Sequence, residues 1–319
     1  MILVAGSSNL DFVIRAQHIP APGETVLGRD FKTFPGGKGA NQAVACARAG
    51  GVPTKMLTAM GSDAFAEPIE ASLREAKVEL DVVRVNDQPT GTAFICVSDD
   101  AENAITVAPG ANGYLQPQHL PNLEGVSHLL MQLEIPMATV SAFARVARSQ
   151  GVKVVLNAAP AQTLPPDVLA AVDVLVVNEG ELITVTGGYD GTVVECLERP
   201  ELADVRCIVV TLGPRGCCAR VDGQLLFQTA FPVTPVDTTA AGDTFCGSLV
   251  AALSQGLDVR QALPLACAAG ALACTRLGAQ SSIPLIAEVT DFLVQQPAPD
   301  EAAIEALRTF CGLAADTHS

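Results

Sequence analysis

The chain has no tryptophan and only two tyrosines in 319 residues. It therefore lacks the aromatic platforms on which single-stranded nucleic acids stack. Basic residues are also scarce, 19 Lys and Arg against 34 Asp and Glu, for a formal charge of −15. Phosphate backbones are bound by basic patches, so this balance excludes a nucleic-acid partner. No apolar run approaches the ~20 residues of a membrane span. The longest candidate, Ala262 to Cys274, is shorter and carries Pro264. The opening Met1-Ile2-Leu3-Val4-Ala5-Gly6 has neither a basic region nor a cleavage site, so no secretory signal is expected and the expected location is cytoplasmic. Ten cysteines are present without a C-x-x-C pair. Most stand singly among apolar neighbours (Cys46, Cys96, Cys207, Cys246, Cys267, Cys274) and read as reduced, buried small hydrophobes. Cys217-Cys218 are adjacent, a spacing that rarely gives a relaxed disulfide. His18, His119, His128 and His318 are too dispersed for a zinc site.

What the chain does have is 49% apolar residues in short runs that alternate with helical periodicity. Strands are expected at Ile2–Gly6, Thr54–Met60, His128–Gln132, Lys153–Asn157, Val174–Val177 and Cys207–Leu212. Helices are expected at Gly39–Ala49, Ala64–Ala76, Pro136–Gln150, Glu179–Thr186, Ala241–Ser254, Val259–Thr275 and Ile283–Gln295. Continuous apolar strands separated by helices predict a doubly wound, mostly parallel sheet covered on both faces. Residues 1–319 thus read as one α/β domain. Two segments break the rhythm. Residues 10–35 alternate around the turn Pro20-Ala21-Pro22-Gly23, and residues 91–107 read as a hairpin about Asp99-Asp100. They are expected to form a small β-sheet, either decorative or a lid over a cleft. The tail after Gly312 is expected to fray.

Three segments carry chemistry. Asp237-Thr238-Thr239-Ala240-Ala241-Gly242-Asp243-Thr244-Phe245 opens a helix. Its small residues let a phosphate approach unsatisfied N–H groups at the positive end of the helix dipole. Asp243 sits there as a base for a hydroxyl proton, or else simply as an N-cap. Pro35-Gly36-Gly37-Lys38-Gly39-Ala40-Asn41-Gln42 opens another helix. It is neither a Walker loop nor a dinucleotide fingerprint, because Lys38 is followed by Gly39. It offers donors for sugar hydroxyls, or is a Gly-rich turn with a solvated lysine. Asn9 and Asp11 follow the first strand, where α/β sheets bind ligands, and suit a vicinal diol or an Asx turn. Weaker signals are Glu134 after a strand, Asn178 and Glu181 at a helix start where ordinary capping is the alternative, and Thr211-Leu212-Gly213-Pro214-Arg215-Gly216, a nucleotide contact or a hairpin turn. Their shared position at strand C-terminal ends favours phosphoryl transfer to a polyol.

Taken together, Ser8-Asn9-Leu10-Asp11, Gly36-Gly37-Lys38-Gly39-Ala40-Asn41-Gln42-Ala43, Met131-Gln132-Leu133-Glu134, Ala158-Ala159-Pro160-Ala161, Asp237 to Phe245 and Gly278 to Pro284 closely resemble the ribokinase-like (PfkB) carbohydrate kinase family over nearly the whole chain. The resemblance implies ATP-dependent phosphorylation of D-ribose at its 5-hydroxyl. It implies Asp243 as base and Ala240, Ala241 and Gly242 as an anion hole. Sugar contacts would come from Asn9, Asp11, Gly37, Lys38, Asn41 and Glu134. Asn178 and Glu181 would organise Mg2+ and the ATP phosphates, and Thr211, Gly213, Gly216 and Cys267 would belong to the nucleotide site. It further implies a K+ activator site at Asp237, Thr239, Ala273, Arg276, Gly278 and Ser282, and a homodimer paired through the small sheets. Departures from the family pattern are Ala158 in place of a frequent Pro, Ala240 in place of a frequent Gly, and Cys267 where His or Asn often meets adenine. Rival readings are a family kinase for 2-deoxyribose, a ketohexose, a ketoacid sugar or a nucleoside, and a catalytically silent sugar-binding regulatory protein. A nicotinamide-dependent oxidoreductase is disfavoured, because no Gly-x-Gly-x-x-Gly turn follows the first strand.

Overall fold

A computed structural model describes residues 1–100, 102–298 and 300–314. The first strand, β1 (Ile2–Ala5), leads through Gly6, Ser7 and Ser8 into β2 (Asn9–Arg15) and β3 (Arg29–Gly36). Helix α1 (Lys38–Arg48) returns the chain to β4 (Thr54–Gly61), α2 (Ala66–Glu75) and β5 (Glu79–Val85). A second excursion forms β6 (Gly91–Val97) and β7 (Asn103–Ala108). The alternation resumes with β8 (His128–Met131), α3 (Met137–Ser149), β9 (Lys153–Asn157), α4 (Pro166–Ala171), β10 (Val174–Asn178), α5 (Glu179–Val185), α6 (Val193–Leu197) and β11 (Cys207–Thr211). The hairpin β12 (Gly216–Val221) and β13 (Gln224–Thr229) follows. Helices α7 (Ala241–Ser254), α8 (Val259–Ala273), α9 (Ile286–Val294) and α10 (Glu301–Phe310) complete the chain.

The main sheet has the order β13-β12-β11-β10-β9-β8-β1-β4-β5 and is parallel from β11 to β5. Its strands are apolar on both faces, as strands covered on both sides must be. Ile2, Val4, Leu130, Val155, Val176 and Val209 pack into the layer shared with α1, α7 and α8. Their neighbours Leu3, Leu129, Val154, Leu175 and Ile208 pack into the opposite layer with Phe143 of α3. Truncating one of these fully buried side chains, such as Leu130→Ala, would cost roughly 2–5 kcal/mol. From β1 the chain steps first to β4 on one side and later to β8 on the other. The strand order therefore reverses between β1 and β8, which opens a crevice at their C-terminal ends.

The second sheet has the order β3-β2-β6-β7, in which β2 and β6 run parallel and the outer pairs are antiparallel. Phe12 anchors it, stacking on Phe94 at 5.3 Å and meeting Phe65 edge-on at 5.4 Å. Several boundaries differ from expectation. Helix α9 begins at Ile286 rather than Ile283, because Ile283 is held extended (ψ 120°), as residues before proline are, and Leu285 is extended as well. Strand β5 and the β12–β13 hairpin were not expected, since their half-buried, partly charged patterns lack a continuous apolar run. Residues 315–319 of the tail, with His318, lie outside the described residues.

Candidate active site

The crevice holds a cavity of about 240 Å³ whose lining includes Lys38, Asn157, Asn178, Glu181, Thr211, Gly242 and Asp243. Five separate stretches of sequence meet there. One wall is the start of α7. Asp243 is the third residue of that helix and not its N-cap; that position is Ala240, held at φ 59° with no side chain capping the helix. Helices α5, α6 and α8 each start with a reciprocal capping box, whereas α1 to α4, like α7, start without a side-chain cap. An uncapped start leaves first-turn donors for an anion. Of the three expected anion-hole residues, Ala241 already directs its N–H to the Thr238 carbonyl at 3.2 Å, so this donor would be shared.

Asp243 is 8% exposed, and both of its oxygens are held: Oδ2 accepts from Asn41 Nδ2 and Oδ1 from Gln42 Nε2, each at 2.9 Å. Both donors lie on α1, which the glycine-rich segment delivers. Gly37, at φ 88°, starts this helix in the left-handed region, and a Cβ there would stand 2.7 Å from the Asn9 nitrogen. Lys38 follows with its side chain in the cavity. The charges of Asp243 first, then Glu134 and Glu181, raise its pKa against the opposing effect of burial.

Asn9, Asp11, Gly37, Asn41 and Glu134 are not among the residues lining this cavity; they adjoin it through Lys38, whose N–H meets Glu134, and Asp243, which Asn41 holds. Asn9 and Asp11 do not form an Asx turn. They lie two apart on β2, on one face of the second sheet, and are 2% and 7% exposed. Asp11 Oδ1 and Asn41 Oδ1 are buried acceptors without a protein partner. Two such buried acceptors match the O–H donors of a polyol. Burial, then Glu134, then Asp243 push the Asp11 carboxyl up to about 7. Glu134 Oε2 accepts from Ser7 Oγ at 2.5 Å and from the Lys38 backbone N–H at 3.1 Å, closing the switch point between β1 and β8.

Asn178 and Glu181 do cap α5: Asn178 Oδ1 accepts from Glu181 N–H, and Glu181 Oε2 accepts from Asn178 N–H, both at 2.8 Å. They also line the cavity, and burial raises the Glu181 pKa. The 211–216 segment is the β11–β12 hairpin turn. Thr211 lines the cavity, whereas a Cβ on Gly216 would meet the Gln228 carbonyl at 2.0 Å, so that glycine answers to sheet packing. Gly213 has φ 55° and open space about it. Cys267 lies on the inner side of α8, its Sγ 3.7 Å from that of Cys217, and is not among the lining residues. All ten cysteines are free.

Away from the cavity mouth, Asp237 ties two loops together. Its Oδ1 accepts from Thr239 N–H at 2.9 Å and its Oδ2 from Gly278 N–H at 3.0 Å. These bonds hold its pKa low despite the upward push of partial burial. Ala273 is fully buried, Ser282 Oγ donates to the Ala279 carbonyl, and the Arg276 guanidinium is paired with Glu288. The sequence reading singled out none of Gln42, Asn112 and Asn157 as site residues. Asn112 Nδ2 donates to Asn9 Oδ1 at 2.8 Å, in space that a side chain at Gly91 would fill.

A doubly wound sheet with a phosphate-ready helix start, a held carboxylate and a hydroxyl-accepting wall defines a phosphotransferase acting on a polyol. The pfkB family carbohydrate kinase model matches residues 1–286, and the chain belongs to that family. A ribokinase from Haemophilus influenzae is 36% identical over 300 residues, covering 92% of this chain and 98% of the relative. Among solved structures, a ribokinase from Thermotoga maritima superposes with a TM-score of 0.85 at 36% identity, covering 92% of this chain and 99% of that one. A ribokinase from Arabidopsis thaliana, complexed with ribose and ATP, gives a TM-score of 0.82 at 31% identity, covering 92% and 98%.

Proposed function

We propose that the chain transfers the γ-phosphoryl group of ATP to the 5-hydroxyl of D-ribose, giving D-ribose 5-phosphate and ADP, with Asp243 as general base. The observation that carries this reading is one cavity in which a carboxylate gripped at both oxygens adjoins an uncapped helix start. Asp11, Asn41, Asn9, Gly37 and Glu134 hold the sugar. Asp11 Oδ1 and Asn41 Oδ1 take hydroxyl hydrogens that nothing in the protein supplies. The 5-oxygen attacks the γ-phosphorus, its bond to the β-phosphate oxygen breaks, and the hydroxyl proton passes to Asp243. The N–H groups of Ala240, Ala241 and Gly242 stabilise the equatorial oxygens, with Lys38 beside them. Phosphoryl transfer needs alignment and charge stabilisation more than covalent chemistry, and this arrangement supplies both.

Asn178 and Glu181 offer hard oxygen donors and would hold Mg2+ through water, where the ion neutralises phosphate charge. Thr211, which lines the cavity, and the Gly213 turn would contact the nucleotide, whereas Gly216 and Cys267 would act only through packing behind it. The loops joined by Asp237, with Thr239, Ala273, Arg276, Gly278 and Ser282, would take K+, largely through backbone carbonyls. The second sheet acts as the lid of a single domain. It exposes Phe31 and Phe94 on one face and Ile105 on the other, apolar surface suited to pairing in a homodimer. Ten free thiols suit the reducing cytoplasm.

The test is ADP release by the purified protein with MgATP and D-ribose, in potassium and in a large inert cation, beside 2-deoxyribose, fructose and adenosine. Ribose-dependent, potassium-stimulated turnover is expected. Turnover with another acceptor alone would reassign the sugar pocket, and turnover with none would point to a silent binding protein.

A further inference from the structure

Gln42 lies on the buried side of α1, fully excluded from solvent, and does not line the cavity. Its Nε2 donates both hydrogens, one to Asp243 Oδ1 and one to Asn157 Oδ1, each at 2.9 Å. Its Oε1 accepts from Gln132 Nε2 at 2.6 Å. Asn157 in turn donates to the Val176 carbonyl at 3.2 Å. The polarity of this chain of amides follows from one charge. An ionised carboxylate can only accept, so Gln42 must present its NH2 group to Asp243. Its carbonyl must then face Gln132, which must present an NH2 group in turn.

We infer that Gln42 is a positioning residue for Asp243, backed by Gln132 and anchored by Asn157. The inference rests on the reading of Asp243 as the base. Asn41 also grips Asp243, but its Oδ1 is a buried acceptor without a partner, and on the proposed reading it takes a sugar hydroxyl, so its hold would be shared with the substrate. Gln42 touches no part of the cavity and fixes the carboxylate plane whether or not sugar is bound. A base fixed before substrate arrives loses nothing to reorientation as the proton moves. The structure shows what this arrangement costs. Gln132 is fully buried with its Oε1 unpartnered, and Gly6 has to lack a side chain, since a Cβ there would stand 2.0 Å from that oxygen. An apolar side chain at 132 would remove that orphaned acceptor but leave buried Gln42 Oε1 without its partner, so the amide at 132 answers to Gln42.

The experiment compares Gln42→Leu, Gln132→Met, the double variant and Asp243→Ala for kcat, ribose KM, ribose dissociation constant by calorimetry, and Tm. Gln42→Leu is expected to lower kcat on the order of 30- to 100-fold, as a small misplacement of a reacting group does, with ribose affinity changed by less than about threefold. Gln132→Met is expected to lower kcat about three- to tenfold. Because Gln132 reaches the base only through Gln42, adding Gln132→Met to Gln42→Leu should lower kcat no further. A merely structural role would instead lower Tm additively and leave kcat alone. A folded Gln42→Leu protein with kcat within about twofold of wild type, or fully additive kcat losses, would overturn the inference. Should Gln42→Leu fail to fold, Gln132→Met decides, and an unchanged kcat refutes the relay. Turnover that survives Asp243→Ala would sink the base reading itself. Loss of turnover there, beside a normal Gln42→Leu, would sink only the positioning role.

Discussion

Helices α1 and α7 start in the same way and serve opposite chemistries. Each begins at a residue of positive φ with no side-chain cap, Gly37 at 88° and Ala240 at 59°. At α1 the protein claims the first-turn donors. Lys38 N–H goes to Glu134 Oε2, Gly39 N–H to Ser7 Oγ, and Ala40 N–H to the Ser7 carbonyl. A carboxylate already sits at that helix end, so the adjoining wall is left to accept hydroxyls. At α7 no side chain caps the helix; Asp243 stands in its first turn, the Ala241 N–H meets the Thr238 carbonyl, and Gly242 lines the cavity.

That contrast can be broken at either end. The largest effect is expected from Asp243→Ala on the α7 side. Turnover should fall by about 10²–10⁴-fold or more, while ribose binding measured by calorimetry stays within a few-fold. On the α1 side, Gly36→Ala would push a Cβ to 2.1 Å from Asp11 Oδ2. Ribose KM should rise on the order of tenfold or more with ATP KM steady, a split that equal changes in both constants would contradict.

The pH profile sharpens the same division. Asp11 is protonated below about 7 in the free protein and ionised above it. In the proposed role the ionised carboxylate is the stronger acceptor for a hydroxyl hydrogen, so kcat/KM for ribose should decline as pH falls through about 7. Asp11→Asn should lower kcat/KM and remove that limb, and a variant that kept the limb would assign it to another group. The smallest effect concerns Ala240. A non-glycine residue in the left-handed region costs roughly 1–2 kcal/mol, and glycine loses about 0.5–1 kcal/mol of chain entropy. Ala240→Gly should therefore stabilise the fold by up to about 1 kcal/mol, seen as a Tm raised by a few degrees. A lowered Tm would show that strain at this turn is not relieved by glycine.

Much of this was legible in the order of residues, and the exceptions have physical causes. Apolar runs such as Lys153–Asn157 and the helix of Ala241–Ser254 were found with the bounds they have, because continuous burial leaves an unbroken pattern. The hairpin β12–β13 was missed because an edge element is only half buried. Asn178 and Glu181 were weighed between capping and ligand binding, and their atoms do the first while their location permits the second. Cys267 was assigned to the nucleotide side, yet its sulfur meets Cys217, since which side of α8 faces inward depends on what packs there.

The sequence by itself determined the layered architecture and the two glycine-rich helix starts. Periodicity and runs of small residues are local properties that survive in one dimension, whereas the choice of Ala240 over Asp243 as the N-cap of α7 did not. Only the tertiary structure decided that Asn41 and Gln42 grip Asp243 from about two hundred residues away along the chain, with separations of 202 and 201. It also decided that Gln132 stands behind them and that Asp11 and Asn41 each keep one acceptor free. Whether an amide turns its nitrogen or its oxygen toward a carboxylate depends on the charge it meets, and that charge arrives only when the sheet brings β1, β8, α1 and α7 together.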